Sequence, residues 1–582
     1  MPWHIIAFIG ALFIAACNPA TELPSGKQDA ANDASDAWTK GAMVAAANPL
    51  AVAAAIEILE KGGHAVDAAI AAHTVLGLVE PQSSGLGGGG FMLVYDRAAA
   101  ELSVYDGRET APAGATEDMF MRDGKPLGFL DAWQSGLSVG VPGAVAMYQL
   151  AHSDHGQLAW QDVFQPAIDL ATEGFEVSPR LANFLTKMGR ATRLDDNPDT
   201  AKYFYPDGTP LGTGHLLKNP EYAETLTRIA DKGIKAFYAS PLAEQIAAAA
   251  QAKPDGGLLT AADIKNYTAI KRDAVCGGFR KMTICAAPPP SSGVIQVLIT
   301  GLYDYFVAEA TSRGEKVQAL VDAQRLGYAD RDHYFADPAF VDVPVDALID
   351  SDYIRLRAGE RVAPDQMPVH GDPSVVFKKA LSGTLWGTDT TEEIGGTTHM
   401  SIVDRYGNAV SLTASIEGVF GSSRWAGGFL LNNELTDFAR QKTADGRIPA
   451  NAIAPGKRPR SSMSPLMVFD ENDDLLMVTG SPGGHSIIAY VAKTLVGVLD
   501  WHLTAQQAVD YPNIFARGQS VSIEQIDDSS AELAAHLTEQ GYSVRKPRNE
   551  NSGIHMIVVR PDGLEGAADK RREGTVSALG AN

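Results

Sequence analysis

Gly395-Gly396-Thr397-Thr398-His399-Met400-Ser401-Ile402-Val403-Asp404-Arg405-Tyr406-Gly407-Asn408-Ala409-Val410-Ser411-Leu412-Thr413-Ala414-Ser415 alternates polar and apolar residues on both sides of a Tyr-Gly-Asn turn. A period of two is that of a half-buried strand, so the stretch reads as a β-hairpin. With the turn centred on Tyr406, positions summing to 812 lie opposite each other, which pairs 404 with 408 and 397 with 415. Directly opposed side chains share a face with Cβ atoms about 5 Å apart. Thr397 and Ser415 are therefore expected to be hydroxyl neighbours, and a slip of one residue would separate them.

Downstream, the chain up to Phe438 keeps this short-strand character, and Met463 to Thr479 adds two strands around Asp470-Glu471-Asn472-Asp473-Asp474. Gly483-Gly484 then precedes an amphipathic helix expected over Ser486 to Trp501. Upstream, Pro49 to Leu59 and Val66 to Leu78 have helical spacing, broken at Gly62-Gly63. The glycines of Ser84-Gly85-Leu86-Gly87-Gly88-Gly89-Gly90 precede a strand. A nucleotide loop follows a strand and opens a helix, so these glycines point to close backbone packing instead. Residues 140–270 read as mainly helical, Pro288 to Gly293 as a rigid turn before a helix over Val294 to Tyr305, 315–335 as helix and 360–394 as loop. No internal repeat is visible. Strands at both ends with helices between them indicate an α+β or layered sandwich body.

The chain has 582 residues with 70 acidic and 48 basic side chains, a net charge of −22. That charge argues against nucleic acid as a partner. Length alone suggests several domains or one large body. There is no CxxC pair and no HExxH run, so the common zinc patterns are missing, though scattered His and Asp could still build a metal site; the expectation is no metal and no cofactor. Of the three cysteines, Cys276 and Cys285 flank a segment that could fold as two strands around a Gly-containing turn. That would bring the sulfurs face to face in a disulfide; the alternative is two buried thiols.

The third cysteine marks the N-terminus. Ile5 to Ala16 is an apolar run of 12 residues, short for a membrane span and suited to a signal h-region. It ends Ile14-Ala15-Ala16-Cys17 and resembles a bacterial lipobox, although Met1-Pro2-Trp3-His4 lacks Lys and Arg. Residues 1–17 are read as a lipoprotein-like signal peptide, with a plain cleaved signal as the alternative. Residues 18–36 are read as a flexible tether. The expected location is the periplasm, anchored to the membrane through the lipid on Cys17.

Thr397-Thr398-His399, with Asp404 and Gly407-Asn408, resembles the start of the small subunit of the gamma-glutamyltranspeptidases, which are N-terminal-nucleophile hydrolases. Further similarities follow in the same order: Glu80-Pro81 with Gly87 to Leu93, Asp106 to Pro112, Pro288 to Gly293, Leu431 to Phe438, Lys457 to Pro465, and Gly480 to Gly484. The resemblance implies a four-layer αββα sandwich and a precursor that cuts itself between Gly396 and Thr397. Residues 37–396 would form a large subunit and 397–582 a small one, in one intertwined body. Cleavage would free an α-amine to act as base for the Thr397 hydroxyl. Gly396, lacking Cβ, tolerates a crowded backbone there.

By the same resemblance Ser415 orients Thr397, and the N–H groups of Gly483 and Gly484 form the oxyanion hole. Arg108 would take the α-carboxylate of a γ-glutamyl group, with Ser461 and Ser462 beside it. Glu417, Glu434 and Asp437 would take its ammonium. Glu417 and Glu434 stand where some members have Asn and Gln, which makes the pocket more acidic. The segment from Asp437 to Ser461 has no aromatic residue after Phe438, where family members with a full lid often carry one, which implies a pocket open to larger substrates. The implied partners are glutathione and other γ-glutamyl compounds, with acceptor amino acids or peptides. Two other readings remain. One is an acylase of the same fold acting on glutaryl-cephalosporins or poly-γ-glutamate, against which the Arg108 and Asp437 pair argues. The other is an uncleaved, lipid-anchored binding protein, against which Thr397 with Gly483-Gly484 argues.

Overall fold

Asn48 accepts a hydrogen bond from the Leu50 N–H (2.9 Å) and Pro49 takes the first helical position, which starts α1 at Pro49–Glu60. Gly62, at φ +88°, breaks the run. A capping box between His64 and Asp67 then opens α2, Ala65–Val79. All of α2 is buried. In this computed structural model the described residues are 38–377, 386–393, 395–443, 445–548 and 551–580. The expected signal peptide 1–17 with Cys17, and the tether 18–36, lie outside them. No described helix is long and apolar enough to cross a membrane.

The strands of the two large sheets are β1 Ala42–Ala46, β2 Gly89–Asp96, β3 Glu101–Asp106, β4 Ile270–Asp273, β5 Val275–Phe279, β6 Met282–Ala286, β7 Thr397–Val403, β8 Ala409–Ser415, β9 Leu466–Phe469, β10 Leu475–Gly480, β11 His555–Arg560, β12 Gly563–Ala568 and β13 Thr575–Leu579. The first sheet runs β13-β1-β7-β8-β2-β3-β4 and the second β12-β11-β10-β9-β6-β5, with antiparallel pairings throughout. The sheets face each other, with β7 and β8 lying over β10 and β11. On the outer face of the first sheet lie α1, α2 and α3, Ala144–His155. On the outer face of the second lie α4, Gly293–Val307, with α5, Arg313–Tyr334, packed on α4, and α6, Ile487–Leu499. This is the expected α+β sandwich of four αββα layers.

The hairpin β7–β8 has the register expected from its turn: Thr397 is opposite Ser415 and Val403 opposite Ala409. Asp404 closes the turn, its Oδ1 accepting the N–H groups of Tyr406 (2.8 Å) and Asn408 (3.0 Å). The glycine cluster serves close packing, as expected. A Cβ on Gly88 would collide with the Ser415 carbonyl, and one on Gly90 would lie 2.5 Å from the Thr413 carbonyl. These glycines let β2 press on the end of β8 that carries Ser415.

Cys276 and Cys285 are directly opposed on β5 and β6 and joined by a disulfide. The turn between them is Arg280-Lys281, not glycine; Arg280 itself adopts φ +58°, and Gly277 and Gly278 lie within β5. The expected amphipathic helix after Gly484 also needs correction. α6 is buried almost throughout, Lys493 included, because it is wedged between the second sheet and neighbouring helices. The Lys493 ammonium is satisfied by the carbonyls of Ala508 (2.8 Å), Val509 (3.1 Å) and Tyr511 (3.2 Å), and burial pulls its pKa down to about 7. The loop expected over 360–394 contains a short helix, Ser374–Phe377, among its described residues.

Candidate active site

Thr397 opens β7 and Ser415 ends β8, and their hydroxyl oxygens are 3.1 Å apart. Ser415 Oγ also accepts the Glu417 N–H (2.8 Å) and donates to the Gly396 carbonyl (3.2 Å). With that donation made, Thr397 is the donor in the hydroxyl pair. The Thr397 hydroxyl, the Ser415 hydroxyl and the Gly396 carbonyl thus form one hydrogen-bonded chain. Both side chains are buried. Gly396 is required where it stands, because a Cβ there would lie 2.6 Å from the carbonyl oxygen of Glu417 and from the carbonyl carbon of Gly418.

The Gly483-Gly484 loop lies against the peptide just upstream. Both residues have positive φ, +139° and +58°, and a single 3₁₀ turn leads from them into α6. A Cβ on Gly395 would sit 3.1 Å from Gly484 N, and the His485 N–H donates to the Glu393 carbonyl (3.1 Å). The uncut chain therefore passes directly over the expected oxyanion loop before reaching Thr397.

Arg108, Glu417, Glu434 and Asp437 come together as expected, all buried. The guanidinium donates to Glu434, to Asp437 Oδ2 (2.6 Å) and to the carbonyls of Pro459 (3.1 Å) and Arg460 (2.9 Å). Arginine and acids are thus paired with each other rather than held apart for separate ends of a zwitterion. Carboxylate oxygens of Glu417, Glu434 and Asp437 lie within 4.8 Å of one another. Glu109 adds a fourth acid, 3.9 Å from Arg108.

One cation cannot keep four buried acids ionised. Burial pushes Glu109 up to about 8, and burial with the neighbouring Glu393 pushes Asp437 up to about 7. Glu417 is raised well above the usual carboxylate range by burial and by Asp437. Glu434 Oε2 and Asp437 Oδ1 have no hydrogen-bond partner among the described residues. They are buried acceptors suited to an ammonium group.

Ser461 and Ser462 sit in a loop held by the Pro288 to Gly293 turn. Ser461 N–H donates to the Pro290 carbonyl (2.8 Å), and Ser292 Oγ donates to the Ser461 carbonyl (2.5 Å). Ser461 Oγ accepts the Met463 N–H (3.1 Å) and Ser462 Oγ accepts from Arg331 Nη2 (2.7 Å). Beyond Asp437, a cavity of about 690 Å³ opens between Ala439 to Thr443 and Thr388 to Glu392.

A family model described as Gamma-glutamyltranspeptidase matches residues 51–579. The chain belongs to the gamma-glutamyltranspeptidase family. It is 35% identical to the glutathione hydrolase proenzyme of Bacillus subtilis (strain 168), an alignment covering 93% of this chain and 92% of the relative. It is 34% identical to the acylase ACY 1 proenzyme of Pseudomonas sp. (strain V22), over 92% of this chain and 93% of that one. The crystal structure of cephalosporin acylase from Bacillus halodurans superimposes with a TM-score of 0.80 at 25% identity, covering 93% of this chain and 96% of that chain.

Several groups around this gamma-glutamyltranspeptidase site escaped the sequence reading. Arg331, on α5, binds Glu393 and Ser462. Glu393 also accepts the Ser462 N–H (2.8 Å), so the segment before the expected cut is pinned to the serine loop. The guanidinium groups of Arg331 and Arg460 pull the Glu393 carboxyl down to about 2 despite burial. Arg572 donates to the Thr397 carbonyl (2.7 Å). Arg331 sits in an ordinary helical pattern and Arg572 near the end of the chain, so neither position carried a local signal.

Proposed function

We propose that the chain is the precursor of a gamma-glutamyltransferase and glutathione hydrolase that matures by cutting itself between Gly396 and Thr397. The observation that carries this reading is the Thr397–Ser415 hydroxyl pair, with Ser415 donating to the Gly396 carbonyl. In maturation Thr397 Oγ bonds to the Gly396 carbonyl carbon and the peptide C–N bond breaks, with the hydroxyl proton ending on the Thr397 nitrogen. Water then opens the ester, giving a Gly396 carboxyl and restoring the hydroxyl. The new α-amine at Thr397 becomes the base for turnover.

In turnover Thr397 Oγ attacks the γ-carbonyl carbon of the donor. The N–H groups of Gly483 and Gly484 receive the oxyanion, a contribution typically worth about 3 kcal/mol per donor. The C–N bond breaks and the amine leaves, taking the proton held by the α-amine. Water or an acceptor amine reverses the sequence and frees Thr397. Arg108 with Ser461 and Ser462 binds the α-carboxylate, while Glu417, Glu434 and Asp437 bind the ammonium, so substrate enters by exchanging with the pairs they make with each other. This head-group chemistry favours a γ-glutamyl donor over the glutaryl acylase reading, which the similarity to named acylases otherwise supports. A glutaryl group brings no ammonium to the acid cluster. Export, lipidation at Cys17 and a periplasmic location belong to the same proposal and rest on the N-terminal sequence.

Purified protein should show two bands on a denaturing gel, the smaller reading Thr-Thr-His-Met by Edman sequencing. It should release the amine from a γ-glutamyl anilide, faster with glycylglycine. Thr397→Ala should give one band and no turnover. An active one-band preparation, or a fragment starting elsewhere, would overturn the reading.

A further inference from the structure

The peptide to be cut is tied on both flanks to a single side-chain pair. Arg572 Nη1 donates to the carbonyl of Thr397 (2.7 Å), just downstream. Arg572 Nη2 donates to the carbonyl of Asn551 (3.1 Å) and to Asn551 Oδ1 (3.2 Å). Asn551 Nδ2 in turn donates to the carbonyl of Gly395 (3.3 Å), just upstream. The acceptance by Oδ1 fixes which face of the amide carries the donor. Arg572 is buried and its Nε is held by the Ser552 carbonyl (3.2 Å), so the fork cannot swing.

We infer that Arg572 and Asn551 form a positioning bracket for self-cleavage, holding the peptide planes on either side of the Gly396–Thr397 bond while the Thr397 hydroxyl attacks. This rests on the proposed cut at that bond. The carbonyl of Gly395 belongs to the plane before the scissile one and that of Thr397 to the plane after it. With both fixed, and Gly396 hemmed in by Glu417 and Gly418, the scissile carbonyl is held on Ser415 and beside the hydroxyl. A displacement near 1 Å in such an arrangement costs on the order of 100-fold in rate. Their roles differ after the cut. Gly395 is then no longer joined to Thr397, so the Asn551 contact serves maturation alone. The Arg572 contact to the Thr397 carbonyl persists and orients the nucleophile in turnover as well.

The test follows conversion of newly synthesised full-length chain on denaturing gels. Asn551→Asp keeps the shape and the acceptor for Arg572 but removes the donor to Gly395. It should slow cutting roughly 10- to 100-fold, a far larger loss than any change in kcat or KM per cut molecule. Arg572→Lys, which can span only one of the two ties, should slow cutting and also lower kcat at unchanged KM. Hydroxylamine, which opens esters, should leave Asn551→Asp slow, because the bracket serves the attack that forms the ester. Asn551→Asp maturing at the wild-type rate, or restored to that rate by hydroxylamine, would overturn the bracket. A wild-type chain that stays uncut, or a Thr397→Ala chain that is cut, would instead overturn the reading beneath it.

Discussion

At the scale of single residues, charge balance in the donor pocket governs behaviour. Glu109 is fully buried, with neither carboxylate oxygen hydrogen-bonded among the described residues, and its pKa is pushed up to about 8 by burial. Its ordinary value in the unfolded chain is near 4.3. Between these values the folded protein keeps a proton that the unfolded chain releases. Stability from this group is therefore lost as pH rises from about 4 to about 8, at roughly 1.4 kcal/mol per unit. Glu109→Gln removes that linkage. Its thermal midpoint should rise relative to wild type from pH 5 to pH 8, and a constant difference would show that Glu109 is ionised throughout. Arg108→Ala and Asp437→Ala should still mature, since neither touches Thr397, but kcat/KM for a γ-glutamyl donor should fall by about 100-fold or more, as expected for losing a buried charged pair. Unchanged kcat/KM in both would remove the pocket from the donor site.

At the scale of elements, the two hairpins do different work. In β7–β8 the alternating pattern and the Tyr-Gly-Asn turn set the register, which puts Thr397 opposite Ser415. In β5–β6 the same logic brought Cys276 opposite Cys285. Loss of that cross-link through Cys276→Ser with Cys285→Ser should lower stability by about 2–3 kcal/mol under oxidising conditions, by loop-closure entropy. Denaturant unfolding with and without reductant checks this: the variant and the reduced wild type should coincide. The helix after Gly484 departs from the amphipathic expectation because side-chain period shows a polar stripe but not what lies over it. Lys493, the charged residue of that helix, is received by the carbonyls of Ala508, Val509 and Tyr511 rather than by solvent.

At the scale of the molecule, both sheets draw strands from both sides of residue 396. The first takes β1 to β4 from before it and β7, β8 and β13 from after it; the second takes β5 and β6 from before and β9 to β12 from after. Cutting one bond in such a body severs no sheet pairing. The two fragments should co-elute at the size of the whole in gel filtration without denaturant and separate only in its presence; elution apart under native conditions would contradict the interleaved topology.

What could be read from the chain alone was whatever depends on neighbours in sequence: the hairpin and its opposed hydroxyls, the cysteine pair, the glycines that permit close packing, and the order of motifs that placed the chain in its family. What only the tertiary structure decided was every contact between segments far apart in the sequence. Arg108 reaches Glu434 and Asp437, Arg331 reaches Glu393 and Ser462, and Arg572 reaches Thr397 across 175 positions. The physical reason is that strand and turn preferences are local and periodic, whereas the partner of a buried charge is chosen by which distant segment the packed layers bring against it. The same reason explains the acids held above their usual range: desolvation is a property of the assembled interior, and the sequence of a carboxylate's neighbours does not carry it.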